Sequence, residues 1–213
     1  MIYAIGDIHG CLSHLENLFD LINPDLDRHQ LVFMGDYIDR GPNSAGVVDF
    51  IINLKKKYNP ENIICLMGNH ERMFLDYLEG KDEMLFLMNG GVTTTASYWG
   101  EYGDRLNRRL PPDHWQFYDT LKLFYETDDY IFVHAGLKPG VALYEQQEED
   151  LLWIRKEFIS SDYNFGKRVI FGHTPMRAPY IRENKIGIDT GAVYGNKLTC
   201  VVLPEEKFYS VSE

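Results

Sequence analysis

Five short apolar runs each end in glycine or histidine, followed by residues that can bind a metal or move a proton. Residues 2–5 lead into Gly6-Asp7-Ile8-His9-Gly10, and residues 31–34 into Gly35-Asp36-Tyr37-Ile38-Asp39-Arg40-Gly41. Residues 62–67 lead into Gly68-Asn69-His70-Glu71, 130–133 into His134-Ala135-Gly136, and 168–171 into Gly172-His173-Thr174. Carboxylates, imidazoles and an amide oxygen, with no cysteine among them, suit divalent ions such as Mn²⁺, Fe²⁺, Zn²⁺ or Ni²⁺. Asp7 and His9 are two residues apart, so a turning segment can point both to one side. Asp7, His9, Asp36, Asn69, His134 and His173 are the candidate ligands. That set is too large for one catalytic ion with an open position. It suits two ions sharing a carboxylate, and Asp36 is the central candidate for the shared one.

These groups need elements that carry them to one place. Residues 2–5, 31–34 and 62–67 read as strands. Residues 11–22 have apolar positions at 12, 15, 18, 19 and 22, the period of a helix. Residues 45–57 read as a helix ending in lysines, which suits the helix dipole, and a third helix is expected at about 71–79. This alternation implies a largely parallel sheet covered by helices. In such sheets sites form at the carboxyl ends of strands, so the motifs can converge on one edge. The stretch 80–121 is punctuated by Gly80, Gly90, Gly91, Gly100 and Gly103 and rich in aromatics. It reads as a helical insertion near the site, with a helix after Pro111-Pro112. Strands are expected at 122–126, 129–134, 168–171, 186–189, 198–203 and 207–210, with one helix over 148–158. The close spacing of these late strands suggests a second, mixed or antiparallel sheet. The fold class expected is α/β, as a single domain over residues 1–213.

Composition narrows the partners. The 213 residues carry 32 Asp+Glu against 21 Lys+Arg, a formal net charge of −11. Such a chain is a poor nucleic-acid coat or anionic-membrane binder. No apolar run is long enough for a membrane-spanning helix, and three scattered cysteines make no disulfide framework. A cytoplasmic setting is the expectation. Plainer roles fit other residues: His14, His29 and His114 read as surface or helix residues, and Cys11 as packing. Cys65, inside an apolar strand, should be a poor thiolate. Asn89-Gly90-Gly91 reads as a turn at the site mouth.

Taken together, the five blocks resemble the signature motifs of the phosphoprotein phosphatase branch of the calcineurin-like metallophosphoesterases. Length and spacing are closest to the small bacterial and phage members. The resemblance runs from residue 4 to about residue 195. It implies two central mixed sheets flanked by helices, and two divalent ions, with Mn²⁺ the first expectation. Asp7 and His9 would hold one ion, Asp36 would bridge, and Asn69, His134 and His173 would hold the other. His70 would be the general acid with Asp39 as its carboxylate partner. Arg40 and Arg155 would bind the substrate phosphate, Arg155 being placed by the shorter match Trp153-Ile154-Arg155.

The implied reaction is hydrolysis of a phosphoester by direct attack of hydroxide held between the ions. Two ions about 3.5–4 Å apart can bring the pKa of a bound water from near 15.7 towards about 7. Arginine forks match phosphate geometry, and a protonated His70 can hand the leaving oxygen its proton. The substrates expected are phosphoserine and phosphothreonine in proteins, with phosphotyrosine or small phosphoesters also in range. The alternative is hydrolysis of dinucleoside polyphosphates, as in the symmetrical diadenosine tetraphosphatases. Those tend to lack the Asp before Arg-Gly in the second block and to end the third in Asp, so Asp39 and Glu71 favour the protein phosphatase side. A non-catalytic metal-binding scaffold would have lost the acid or an arginine, and His70, Asp39 and Arg40 are all present.

Overall fold

A computed structural model describes residues 1–100 and 108–212. In chain order the elements begin β1 (Ile2–Ile5), α1 (Leu12–Ile22), β2 (Gln30–Phe33), α2 (Ser44–Lys57), β3 (Ile63–Cys65) and α3 (Asn69–Leu78). Then come α4 (Glu83–Phe86), a π-helical turn (Leu87–Gly91), α5 (Val92–Trp99), α6 (Pro112–Asp119), β4 (Phe124–Glu126) and β5 (Tyr130–Val133). The chain continues through α7 (Glu148–Trp153), α8 (Lys156–Ile159), β6 (Arg168–Phe171), β7 (Tyr180–Ile181) and β8 (Lys185–Gly187). It finishes with β9 (Leu198–Leu203) and β10 (Lys207–Val211).

The strands form two five-stranded mixed sheets, ordered β10-β9-β1-β2-β3 and β4-β5-β6-β8-β7. Period-2 alternation decides the layering. Ala4, Val32, Ile64 and Val201 of the first sheet meet Phe132, Ile170 and Ile186 of the second in one core between the sheets. The alternate residues Tyr3, Ile5, Leu31, Phe33 and Cys200 face the other way, where Leu15, Leu18, Val48, Ile51 and Phe74 of α1, α2 and α3 cover them. Ile131, Val133, Val169 and Phe171 are covered by Leu151 and Phe158 of α7 and α8. Apart from the edge strands β4, β7 and β10, the strands are therefore buried on both faces, which is why they read as largely apolar runs. No helix among the described residues is long and apolar enough to cross a membrane.

The arrangement of the expected strands and helices changes in two places. The late strands do not all join the second sheet: β9 pairs antiparallel with β1, Ile2 opposite Leu203, and β10 completes the first sheet. The helix expected over 148–158 is two short ones. Ile154 (ψ 139°) and Arg155 (φ −129°, ψ −98°) leave helical geometry between them. The break buries Ile154 and Phe158 in one core and leaves Arg155 exposed. His14 and His114 lie on helices, as expected, and are buried there, His114 between Tyr98 OH (2.8 Å) and Asp49 Oδ1 (2.9 Å).

Helices α4, α5 and α6 occupy the stretch expected to be helical, while Gly103 and its neighbours at 101–107 lie outside the described residues. Asn89-Gly90-Gly91 is a kink within a helical run, not a free turn. Gly90 adopts φ 104°, its carbonyl accepts from Arg40 N at 3.2 Å, and a Cβ there would lie 2.6 Å from Arg40 Cγ. This close approach admits only glycine.

Candidate active site

The loops after β1, β2 and β3 are locked together by their main chains. Asp36 O accepts from Ile8 N (3.0 Å) and His9 N (2.8 Å), and Tyr37 O accepts from Gly10 N (2.7 Å). α3 starts at Asn69, two residues earlier than expected, so Asn69 and His70 sit in its first turn. Glu71, fully buried, accepts from Asp36 N (2.9 Å), Tyr37 N (2.9 Å) and Gly68 N (3.0 Å). Gly68 has to lack a side chain, since a Cβ would stand 2.2 Å from Asp36 Oδ1.

Glu71→Ala strands three buried amides at once and is expected to cost at least about 3 kcal/mol of folding stability. Urea denaturation measures this, and a loss under about 1 kcal/mol would mean the amides find other partners.

Backbone strain concentrates here. Among the described residues, nine non-glycine positions have positive φ, and five of them are His9, Asp36, Asp39, Arg40 and His173. Such conformations persist only where the surroundings over-determine them, and at His9 and Asp36 the bonds just described supply that constraint.

Ring orientation reveals the chemistry. His9 Nδ1 bonds to Ile38 O and His134 Nδ1 to Met34 O, each at 2.8 Å. A carbonyl only accepts, so Nδ1 carries the proton and Nε2 of the neutral ring presents a bare lone pair. Burial lowers the His134 imidazole, lowers His9 to about 3 and, as the leading cause, lowers His173 to about 2. All three are neutral near pH 7.

Yet His134 Nε2 faces Asp36 Oδ1 at 3.3 Å and Asn69 Oδ1 at 3.0 Å, and His9 Nε2 faces Asp36 Oδ2 at 3.5 Å. Acceptors turned on one another in a buried site repel unless a cation lies among them. His173 Nδ1 lies 2.9 Å from Asn69 Oδ1, where a protonated Nδ1 donates. Asp7 Oδ1 and His173 Nε2 are buried with no hydrogen-bond partner. Ligand atoms of His9, Asp36 and His70 lie within 4.8 Å of one another, as do those of Asp36, His134 and His173. The donor set therefore fits two divalent ions with Asp36 common to both groups.

Asp7 stands just outside these groups. Its Oδ2 accepts from His173 N at 2.9 Å, and burial, with Asp189 and Asp36 nearby, raises its carboxyl well above the usual range. His70 takes the third place beside His9 and Asp36, its Nε2 3.9 Å from Asp36 Oδ2. Its Nδ1 bonds to Asp39 Oδ2 at 2.6 Å, with both residues buried. Arg40 Nη1 lies 2.6 Å from His9 Nε2, and its guanidinium is 5.6 Å from the ring centre of exposed Tyr194. Arg155 is the outlier among the expected residues. It is exposed, and after burial and other charges its own charge helps to lower His134 and His173. Trp153 stands edge-on to His173, ring centres 6.1 Å apart.

Two buried participants escape the motif reading. Asp189 follows the apolar run 186–188 as Asp36 follows 31–34, and burial raises its carboxyl to about 6. Reading 186–189 as all strand hid a signal already used for Asp7 and Asp36. Thr94, on α5, reaches Asp39 from the helical insertion, and no local pattern marks it. The cysteines match expectation: all three are buried, and burial pushes the Cys65 thiol up to about 11.

Known proteins bear on this geometry. Residues 1–201 match the calcineurin-like phosphoesterase family. The chain is 33% identical to serine/threonine-protein phosphatase 1 of Salmonella typhimurium over 208 residues, covering 93% of this chain and 89% of that protein. It is 28% identical to the asymmetrical bis(5'-nucleosyl)-tetraphosphatase PrpE of Oceanobacillus iheyensis, covering 98% and 90%. In fold it resembles a Saccharomyces cerevisiae protein serine/threonine phosphatase with similarity to human PP5 (TM-score 0.71, 18% identity, covering 100% of this chain and 79% of that one). A family match over nearly the whole chain coincides with buried donors arranged for two cations at the strand ends, and the protein belongs to the calcineurin-like phosphoesterase family.

Proposed function

We propose that this phosphoesterase hydrolyses phosphomonoesters, with phosphoserine and phosphothreonine in proteins as its main substrates and phosphotyrosine also accepted. The observation that carries the reading is the buried His70–Asp39 pair at 2.6 Å, with Nε2 turned towards Asp36. A serine or threonine alkoxide is a poor leaving group and needs a proton, whereas a nucleotide phosphate leaves as a stable anion without one. A dedicated acid therefore favours alcohol esters.

His9, Asp36 and Asp7 would hold one ion, and Asp36, Asn69, His134 and His173 the other. Mn²⁺ is the proposed metal, and the same donors admit Fe, Zn or Ni. When bound, the pair would supply Lewis acidity and a water acidic enough to react near neutral pH. Arg40 and Arg155 bind the phosphoryl oxygens through paired N–H donors. His9 Nε2, now 2.6 Å from Arg40 Nη1, would be the atom that holds a cation, and Arg40 would then be free to turn to the substrate. Asp39 holds the His70 ring by Nδ1–H, leaving Nε2–H for the leaving oxygen.

A second reading, hydrolysis of dinucleoside polyphosphates, is favoured by the PrpE relatives and by two exposed rings near the site. Trp153 and Tyr194 are 37% and 60% exposed and offer flat faces on which a nucleobase can stack. With Mn²⁺ supplied, a panel of phosphoserine, phosphothreonine and phosphotyrosine peptides against diadenosine tetraphosphate separates the two. The peptides are expected to lead by at least about tenfold in kcat/KM, an advantage of about 1.4 kcal/mol. A lead for the dinucleotide would replace the first reading with the second.

A further inference from the structure

Behind the His70–Asp39 pair lies a second pair, made of hydroxyls. Thr94 Oγ1 lies 2.6 Å from Asp39 Oδ1, and the Asp39 amide donates to that same Thr94 oxygen at 2.9 Å. Ser44 Oγ is 2.9 Å from Thr94 Oγ1 and accepts from the same amide at 3.1 Å. Thr94, Ser44 and Asp39 are all fully buried.

Counting protons fixes the directions. An ionised carboxylate only accepts, so the single hydroxyl proton of Thr94 goes to Asp39 Oδ1. Thr94 Oγ1 then accepts from the Asp39 amide and from the Ser44 hydroxyl. Asp39 Oδ1 is thereby occupied, and Oδ2 is left facing His70 Nδ1.

A carboxylate held at one oxygen alone can rotate about its bond to the chain. Thr94 removes that freedom. Asp39 and Arg40 also stand at φ 73° and 67°, so the segment carrying them is held by its surroundings rather than by local preference. Those surroundings come from the inserted helices. Gly90 O accepts from Arg40 N, and Ser97 Oγ accepts from Ala45 N at 3.0 Å. Tyr98 OH is 2.8 Å from His114 Nδ1 and 3.0 Å from Tyr118 OH. α5 is thus tied both to α2 and to α6.

We infer that Thr94, backed by Ser44, is a positioning residue for proton delivery: it fixes the Asp39 carboxylate that orients His70. The inserted helices then build part of the catalytic apparatus, besides rimming the site. The inference rests on the reading of His70 as the acid, and the two are separable by experiment.

The test compares kcat on two substrates with Mn²⁺ supplied. 2,4-Dinitrophenyl phosphate has a leaving group that needs no proton, and a phosphoserine peptide has one that does. Thr94→Val keeps the shape and deletes the hydroxyl. It is expected to lower kcat about ten- to a hundredfold on the peptide and less than about threefold on the dinitrophenyl ester. Thr94→Ser restores the hydroxyl and is expected to return both rates to within about threefold of the original. Ser44→Ala, which leaves Asp39 its bond from Thr94, should show the same pattern at about three- to tenfold. It serves also where Thr94→Val does not fold.

His70→Asn is run alongside. If His70→Asn discriminates between the substrates and the Thr94 and Ser44 variants lose both activities equally, or neither, the positioning role is overturned while the acid stands. If His70→Asn itself shows no discrimination, the acid reading fails and takes the positioning role with it.

Discussion

Asp36→Asn is expected to reduce hydrolysis by on the order of a thousandfold or more and to weaken both metal sites together. Asp36 is the one carboxylate common to the two ligand groups. Its Oδ1 faces His134 Nε2 at 3.3 Å, and its Oδ2 faces His9 Nε2 at 3.5 Å. Asparagine keeps the shape but removes the charge and turns an N–H₂ towards one of the two groups. The loops are locked chiefly through Asp36 N and O; the bond that its Oδ1 accepts from His70 N at 3.2 Å can be kept by an amide oxygen, so the fold should survive. Metal titration of the purified variant, with circular dichroism as the check on folding, measures this. Loss of affinity at one site only would remove Asp36 from the bridging position.

His70→Asn carries the next largest expected effect, and it decides between two roles. A histidine whose Nδ1 is held by a carboxylate and whose Nε2 faces a shared Asp has the look of a metal ligand as well as of an acid. The Asp36 contact is longer for His70 (3.9 Å) than for His9 (3.5 Å), which favours the acid. An acid is worth about 10²–10⁴ in rate. The variant should lose that much on a phosphoserine peptide, yet bind the same number of ions with similar affinity. Loss of an ion in step with activity would make His70 a ligand.

Much of the fold was legible because the strands are short, apolar and buried on both faces, and because α1 and α2 carry a clear helical period. The ligand-type residues were legible for a related reason: each stands directly after an apolar strand, where the chain must turn and glycine recurs. What stayed hidden depends on distant pairing. Nothing local says that residues 198–203 lie against residues 2–5, so β9 and β10 looked like members of the second sheet. The break at Ile154 and Arg155 was hidden because helical periodicity continues through it. Thr94 was hidden because its partner, Asp39, is far away in sequence. Asp189 was legible and passed over. In the geometry it is His70, and not Asp7, whose ligand-type atom lies within 4.8 Å of those of His9 and Asp36.

The acidity of the chain takes on a local meaning at this site. Asp7, Asp36, Asp39, Glu71 and Asp189 are buried within it. On the proposed reading they would serve there as ligands and supports, rather than forming a solvated anionic surface. The cationic character needed to hold a phosphate would come, on the same proposed reading, from Arg40, Arg155 and the ions those carboxylates would gather.

The most direct measurement is a Mn²⁺ titration of the chelator-treated protein, with bound metal counted and phosphoester hydrolysis followed in the same samples. Two ions per chain are expected, with no hydrolysis in the stripped protein and full activity only as the second ion binds. A single ion at saturation, or undiminished hydrolysis without metal, would contradict a two-metal phosphoesterase.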